Sequence, residues 1–330
     1  MRKVTADPTT STGAAEASRA AFVADVQYYL MQQPRQLPSR YLYDALGSAL
    51  FEAICCLPWY RITRAEMRLL EALGEAIFRR LDPLSTLVEL GCGSGEKLVA
   101  LVESASLRSS PLHLHLIDVS PSALAASSRV LEALDGVHVT THEAPYEVGL
   151  AEVTYEQRVH GRTLALFLGS NIGNFDRPGS HAFLRGVHAT LHSGDALLIG
   201  ADLVKSEREL ELAYDDPLGV TAAFNRNLLV RINRELGGTF DVGAFAHRVV
   251  WNGHESRIEM HLVSRCRQRV AIRLADLDFV IDEGESIWTE SSYKYRPDDM
   301  VSMLERAGFR MLEQWVAGDE GFALTLVEAR

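Results

Sequence analysis

The chain predicts an α/β fold: a parallel sheet covered on both faces, finished by an antiparallel hairpin, with an α+β subdomain inserted late in the sequence. Three observations predict it. Apolar, β-prone runs alternate with helix-forming stretches from residue 86 to residue 201, the pattern of βα units around a buried sheet. Residues 86–95 read TLVELGCGSG, a strand that breaks into Gly91, Gly93 and Gly95 just before the helix formers Glu96 and Lys97. Near the C-terminus two strand-like runs are joined by Ala317-Gly318-Asp319-Glu320-Gly321, a hairpin signal.

Residues 1–18 are rich in Thr, Ser, Ala and Gly and lack the apolar core of a signal peptide, so they predict a mobile tail. A mixed apolar pattern over 20–30 predicts a helix, and Pro34, Leu37 and Pro38 an extended segment. A short helix over 48–57 ends at Pro58. A longer helix is predicted over 63–80, with Thr63 as cap, Glu66 completing a capping box, and Met67, Leu70, Leu73 and Ile77 forming one face. Strands follow at 86–90, 113–117, 137–141, 163–168 and 196–201, with a helix of small residues over 122–134. About 90 residues then leave the βα rhythm. Helices are predicted at 210–214 and 220–235, and strands at 249–251, 257–264 and 270–274 around turn signals such as Asn252-Gly253. A helix over 297–307, closed by Gly308, precedes hairpin strands at 309–316 and 322–328.

Composition narrows the function. At 330 residues and 47% apolar content the chain can bury a sizeable core. A formal net charge of −11 argues against nucleic acid as a partner, because phosphate binding needs clustered Lys and Arg. No apolar run approaches the ~18 residues of a membrane span. Cys55, Cys56, Cys92 and Cys266 fit no zinc spacing and include no C-x-x-C, which points to reduced thiols in a cytoplasmic protein. His113 and His115 share one strand face without a third ligand, so no metal site is expected. No heptads are present, and a monomer is expected.

The glycine turn lets a ligand approach bare backbone. The strand over 113–117 leads into Asp118, a carboxylate able to accept from both hydroxyls of a ribose. Strand, glycines, helix, strand and acid together predict a nucleoside-bearing cofactor. The spacing is G-x-G-x-G with Glu89 before it, not the dinucleotide G-x-G-x-x-G, and no P-loop pattern occurs. That form resembles motif I of the class I S-adenosylmethionine-dependent methyltransferases, whose Rossmann-like sheet also ends in an antiparallel hairpin. The loop after the fourth strand, Phe167 to Phe175, adds two glycines and two asparagines at a strand's carboxyl end.

Longer blocks are more specific. Tyr41-Leu42-Tyr43-Asp44, Leu57-Pro58-Trp59-Tyr60, Thr63-Arg64-Ala65-Glu66, Phe167 to Asn174, Gly200 to Lys205, Ala213-Tyr214-Asp215-Asp216, Arg257-Ile258-Glu259-Met260 and Thr289-Glu290-Ser291-Ser292 occur in this order. From about Arg35 to the C-terminus the chain resembles the histidine-specific N-α-methyltransferases of ergothioneine biosynthesis. The resemblance implies S-adenosyl-L-methionine as cofactor, L-histidine as substrate and hercynine, the trimethylated product. It implies that Tyr60 and Asn174 hold the α-amino group with Tyr43 close to the same nitrogen, and that Tyr214 binds the α-carboxylate. Glu290 and Ser292 would hydrogen-bond the imidazole, with Phe51, Met260 and Gly169 also at the substrate. Gly91, Gly93, Lys97, Asp118 and Tyr146 would hold the cofactor. The family usually carries an acidic residue and a Phe after the third strand, where this chain has Pro145 and Tyr146. The alternative reading is an N-methyltransferase for tryptophan or another aromatic amino acid. The implied division is a methyltransferase domain at 61–204 and 295–330 and a substrate-binding subdomain at 19–60 and 205–294.

Overall fold

The computed structural model of the protein describes residues 8–104, 111–156 and 161–330. In chain order, α1 (Pro8–Leu30) leads through β1 (Arg35–Gln36) to α2 (Ala45–Cys55) and α3 (Ile62–Arg80). The βα series is β2 (Leu84–Leu90), α4 (Glu96–Ser104), β3 (Leu112–Asp118), α5 (Pro121–Leu131), β4 (Val137–Glu143), α6 (Tyr146–Glu156), β5 (Arg162–Phe167), α7 (Arg177–Thr190) and β6 (Ala196–Asp202). Next come α8 (Glu207–Tyr214), α9 (Val220–Leu236), β7 (Phe245–Asn252), β8 (Arg257–Ser264), β9 (Gln268–Ile272), β10 (Leu277–Ile281) and β11 (Ser286–Tyr293). The chain ends with α10 (Pro297–Arg306), β12 (Arg310–Ala317) and β13 (Phe322–Glu328). Two compact units result: Met1–Cys56, Glu211–Trp251 and Glu259–Glu290 form one, and Leu57–Leu210, Asn252–Ile258 and Ser291–Arg330 the other.

The second unit holds a seven-stranded sheet in the order β12-β13-β6-β5-β2-β3-β4. β2 to β6 are parallel, and β13 and β12 run antiparallel, so the parallel sheet with a terminal hairpin expected from the sequence is present. Strand order reverses at β2, which pairs with β3 on one side and β5 on the other. The carboxyl ends at such a switch point are where open α/β sheets bind ligands. The central strands are apolar throughout because both faces are covered. Val88, Leu90, Ala165, Phe167, Leu197 and Ile199 are fully buried, packed with Leu184 of α7 and Met300 and Leu304 of α10. Each large apolar side chain buried there contributes about 1.5–3 kcal/mol. Ser120 and Asp176 cap α5 and α7 by accepting from Ala123 and Gly179, and each helix has Pro in its first turn.

The first unit is built on a sheet ordered β1-β11-β8-β7 and a separate β9–β10 hairpin. β8 alternates as an amphipathic strand should, with Met260, Leu262 and Ser264 inward. α2 packs on α9. Asp44 caps α2 and also accepts from Asn227 of α9, at 2.7 Å.

Several elements depart from expectation. α1 reaches back to Pro8, so residues 8–18 belong to a helix; residues 1–7 of the expected tail lie outside the described residues. Thr63 is not the cap of α3. The helix starts at Ile62 with Arg61 at the cap position, no side chain caps it, and Glu66 turns inward instead. Its buried face is Ile62, Ala65, Glu66, Leu70, Gly74 and Ile77, so Leu70 and Ile77 of the predicted face are buried while Met67 and Leu73 are only partly so. The sequence predicts no element at β10, β11, α6 or α7.

Candidate functional site

The carboxyl ends of β2, β3 and β5 build one corner of the second unit. β2 ends in the glycine turn, where Gly91 and Gly93 have φ of +85° and +51°, a region an L side chain rarely adopts. A Cβ on Gly91 would lie 3.0 Å from the Tyr146 hydroxyl and 3.3 Å from Asn171 Nδ2, and one on Gly93 would meet nothing within 4 Å. The turn is therefore bare backbone beside two polar side chains and open space. β3 ends in Asp118, whose Oδ1 accepts from the Ser120 N–H at 2.9 Å. Burial raises the Asp118 pKa, and backbone N–H groups of Ser120, Cys92 and Gly93 oppose that rise. Burial also raises the Tyr146 phenol, so it remains a neutral hydroxyl. Burial pushes the Cys92 thiol up to about 12, which excludes a nucleophilic thiolate in the turn.

The turn after β5 is held at four points. The Gly169 N–H donates to both oxygens of Glu66, at 2.9 and 2.8 Å. The Asp202 N–H donates to Ser170 Oγ at 2.9 Å. The Tyr295 hydroxyl donates to the Ile172 carbonyl at 3.1 Å. A Cβ on Gly173 would stand 2.7 Å from the Tyr293 carbonyl, so only glycine fits against that strand. These contacts bring Asn171 to the glycine turn and place Asn174, which is exposed, at the end of a short 3-10 turn; a Cβ on the neighbouring Gly173 would lie 3.5 Å from Ser292 Oγ. Tyr60 is 6% exposed, at the residue before the cap of α3.

Glu290 and Ser292 lie two apart on β11 and so share one face. Both are buried, at 9% and 5% exposure. Ser292 Oγ accepts from the Lys294 ammonium at 2.8 Å, since an ammonium can only donate. Lys294 in turn pairs with Asp202 at 2.9 Å, and Lys205 pairs with the same carboxylate at 2.7 Å. Within the first unit, Thr289 Oγ1 donates to the Met260 carbonyl, which ties the strand carrying Glu290 to the strand carrying Met260. Tyr43 and Phe51 pack edge to face with ring centroids 5.5 Å apart, and Phe224 lies 5.4 and 5.9 Å from them. Tyr214 is 7% exposed, and its carbonyl lies 2.9 Å from His247 Nε2. The structure thus groups Gly91, Gly93, Lys97, Asp118, Tyr146 and Gly169 around one set of strand ends, and Tyr43 with Phe51 in one aromatic cluster.

The sequence matches the family described as "Histidine-specific methyltransferase, SAM-dependent" over residues 22–329. The chain belongs to that family. It is 41% identical over 315 residues to the Histidine N-alpha-methyltransferase of Mycobacterium tuberculosis, covering 94% of this chain and 96% of the relative. It is 39% identical over 318 residues to the protein of the same name from Mycolicibacterium smegmatis, with coverage of 95% and 97%. Ergothioneine biosynthesis protein 1 of Schizosaccharomyces pombe is 26% identical over 294 residues, which are 85% of this chain and 37% of that one. S-adenosylmethionine is the family's cofactor.

The bare turn at Gly91 and Gly93, with a carboxylate at the neighbouring strand end, fits that cofactor. Glu66, Asn171 and Lys294 were not among the candidates read from the sequence. For Glu66 a signal existed: it lies four residues before Leu70 on the apolar stripe of α3, an unusual place for a carboxylate.

Proposed function

We propose that the protein transfers methyl groups from S-adenosylmethionine to the α-amino nitrogen of L-histidine, three times, to give hercynine for ergothioneine biosynthesis. The observation that carries the substrate assignment is the burial of Glu290 and Ser292 on one face of β11. A carboxylate accepts, and a hydroxyl on the same strand face accepts or donates, a pair suited to the two nitrogens of an imidazole. Apolar amino acids offer no such partners.

In this reading Tyr60 and Asn174 receive the α-amino group, Tyr43 lies near the same nitrogen, and Tyr214 receives the α-carboxylate. Gly169 supplies backbone at the substrate, and Phe51 and Met260 line the ring's surroundings. Gly91, Gly93, Lys97, Asp118 and Tyr146 hold the cofactor, with Asp118 on the ribose hydroxyls and Lys97 on the cofactor carboxylate. S-adenosylmethionine supplies an electrophilic methyl group carried on a sulfonium. The nitrogen must attack as a neutral amine, although an α-amino group has a pKa of about 8 in a peptide and a higher one in a free amino acid. The residues contribute mainly by holding the nitrogen in line, which removes orientational entropy from the step. Asn174 can turn its carbonyl toward N–H donors in the early rounds. The aromatic faces of Tyr43, Phe51 and Tyr60 suit a product that has lost every N–H and keeps a positive charge. No helix among the described residues is long and apolar enough to cross a membrane; the enzyme is read as a cytoplasmic monomer acting on a small molecule.

Mass spectrometry of the twenty amino acids, each incubated with enzyme and S-adenosylmethionine, tests the assignment. Histidine should gain successive methyl units up to three. No gain on histidine, or a faster gain on tryptophan, would reject it.

A further inference from the structure

Glu66 has no part in the roles assigned above, yet three other segments of the second unit are built around its carboxylate. Its side chain is fully buried. Both oxygens accept from the Gly169 N–H at 2.9 and 2.8 Å, and Oε2 lies 2.7 Å from Lys97 Nζ. Gly200 of β6 makes room for it: a Cβ there would stand 2.0 Å from Glu66 Oε1. Gly200 is not among the positive-φ glycines, so what its position requires is space, not a special backbone conformation. A Cβ on Gly169 would in turn press on Lys97 Nζ at 3.0 Å.

A carboxylate in this place is costly to bury, and a well-packed apolar side chain of similar volume often gives equal or better stability than a buried ion pair. Packing alone does not call for a charge here. What the charge does is orient. It fixes the Lys97 ammonium at the first turn of α4, directly after the glycine turn, and it fixes the amide that starts the Gly169–Asn171 segment. An ammonium has three N–H donors in tetrahedral array, so holding one toward Glu66 sets the directions of the others.

We propose that Glu66 is a positioning residue for the amino-acid end of S-adenosylmethionine, holding Lys97 and the turn after β5 in the arrangement that receives the cofactor's carboxylate. The proposal rests on the reading of Lys97 as a cofactor ligand. Glu66 touches neither cofactor nor substrate and acts through Lys97 and Gly169.

The test compares two probes by isothermal titration calorimetry: S-adenosylhomocysteine, which carries the amino-acid end, and 5′-methylthioadenosine, which lacks it. Glu66→Gln keeps an acceptor for Gly169 but turns an amide N–H toward the ammonium. It should weaken S-adenosylhomocysteine at least tenfold and leave methylthioadenosine within twofold. In turnover, the KM for S-adenosylmethionine should rise with kcat changed much less. Equal losses for both probes would mark a structural role and overturn the proposal, as would no loss for either. Lys97→Met is run beside it. If Lys97→Met loses S-adenosylhomocysteine selectively and Glu66→Gln does not, the positioning role falls and the reading of Lys97 stands. If Lys97→Met leaves the ratio of the two affinities unchanged, the reading of Lys97 falls and takes the proposal with it. Should Glu66→Gln not fold, as judged by circular dichroism, Gly200→Ala displaces the carboxylate without removing it. The same selective loss is then expected, and an unchanged ratio would overturn the proposal.

Discussion

At the scale of single residues, the substrate assignment concentrates on Glu290. A carboxylate that accepts a hydrogen bond from a ligand contributes about 1.5–3 kcal/mol, the range for bonds to charged groups. Glu290→Ala is therefore expected to weaken histidine binding by roughly 10- to 150-fold. Calorimetric titration of histidine in the presence of S-adenosylhomocysteine reads this directly, and unchanged affinity would remove Glu290 from the assigned role. How such residues appear in a sequence explains which were legible. Glu290 and Ser292 lie in SIWTESSY, where polar residues occupy buried strand positions. Polarity alone would put them at the surface, so only the resemblance of the surrounding block marks them. Glu66 failed the other way: Thr63 and Glu66 match a capping box by spacing, and local pattern masked a partner 103 positions downstream. The cofactor side was easier, because a glycine turn after a strand and an acid ending the next strand are each encoded locally.

At the scale of elements, Asp44 makes the junction of α2 with α9 testable. One oxygen accepts from the Gly47 N–H at 2.8 Å and from Asn227 Nδ2 at 2.7 Å, and the other accepts from Arg234 at 2.6 Å. Removing the side chain loses a cap, about 0.5–2 kcal/mol. It also leaves the buried Asn227 amide short of a partner, about 1–3 kcal/mol. Asp44→Ala should thus cost about 1.5–5 kcal/mol. Asp44→Asn keeps an acceptor for the cap and loses mainly the ion pair with the half-exposed Arg234, and should cost less than about 1 kcal/mol. Urea denaturation midpoints with constant slope measure both, and similar losses for the two variants would show that the ion pair, not the cap, dominates. Elements with one clean periodicity were legible from sequence to within a residue or two: β8 and β13 match the expected bounds, and α9 differs by one residue. β10 and β11 were not, because β10 is a five-residue strand paired, among the described residues, only with β9, and β11 carries polar residues inward. The helical span of residues 8–19 was hidden by Thr, Ser and Gly, which propensity assigns to loops.

At the scale of the whole molecule, two buried titrating groups set opposite limbs of the stability curve. Glu89 is 2% exposed, and its Oε2 has no hydrogen-bond partner among the described residues. Burial raises its carboxyl from 4.5 to about 8; Lys97 opposes the rise, while Glu66 and Asp118 add to it. The folded chain therefore keeps a proton that the unfolded chain gives up, and stability falls as pH climbs from about 4.5 to about 8. The slope is at most about 1.4 kcal/mol per pH unit for one proton. His115 acts in the other direction. Burial lowers it from 6.5 to about 4, helped by His142 and His113. The unfolded chain then holds the extra proton, and stability falls as pH drops from about 6.5 to about 4. Between about pH 4.5 and 6.5 the two slopes oppose each other, so a broad optimum is expected there, with an alkaline limb from about 6.5 to 8 that belongs to Glu89. Glu89→Gln should flatten that limb and raise the melting temperature at pH 8 relative to wild type, while leaving the acid limb in place. His115→Gln should flatten part of the acid limb and leave the alkaline one, the rest of the acid limb coming from groups such as His247, whose pKa burial also lowers. Melting temperatures at half-unit steps from pH 4 to pH 9 would decide it: an alkaline limb as steep in Glu89→Gln as in wild type would mean that Glu89 carries its charge when folded, and that the attraction of the Lys97 charge outweighs burial.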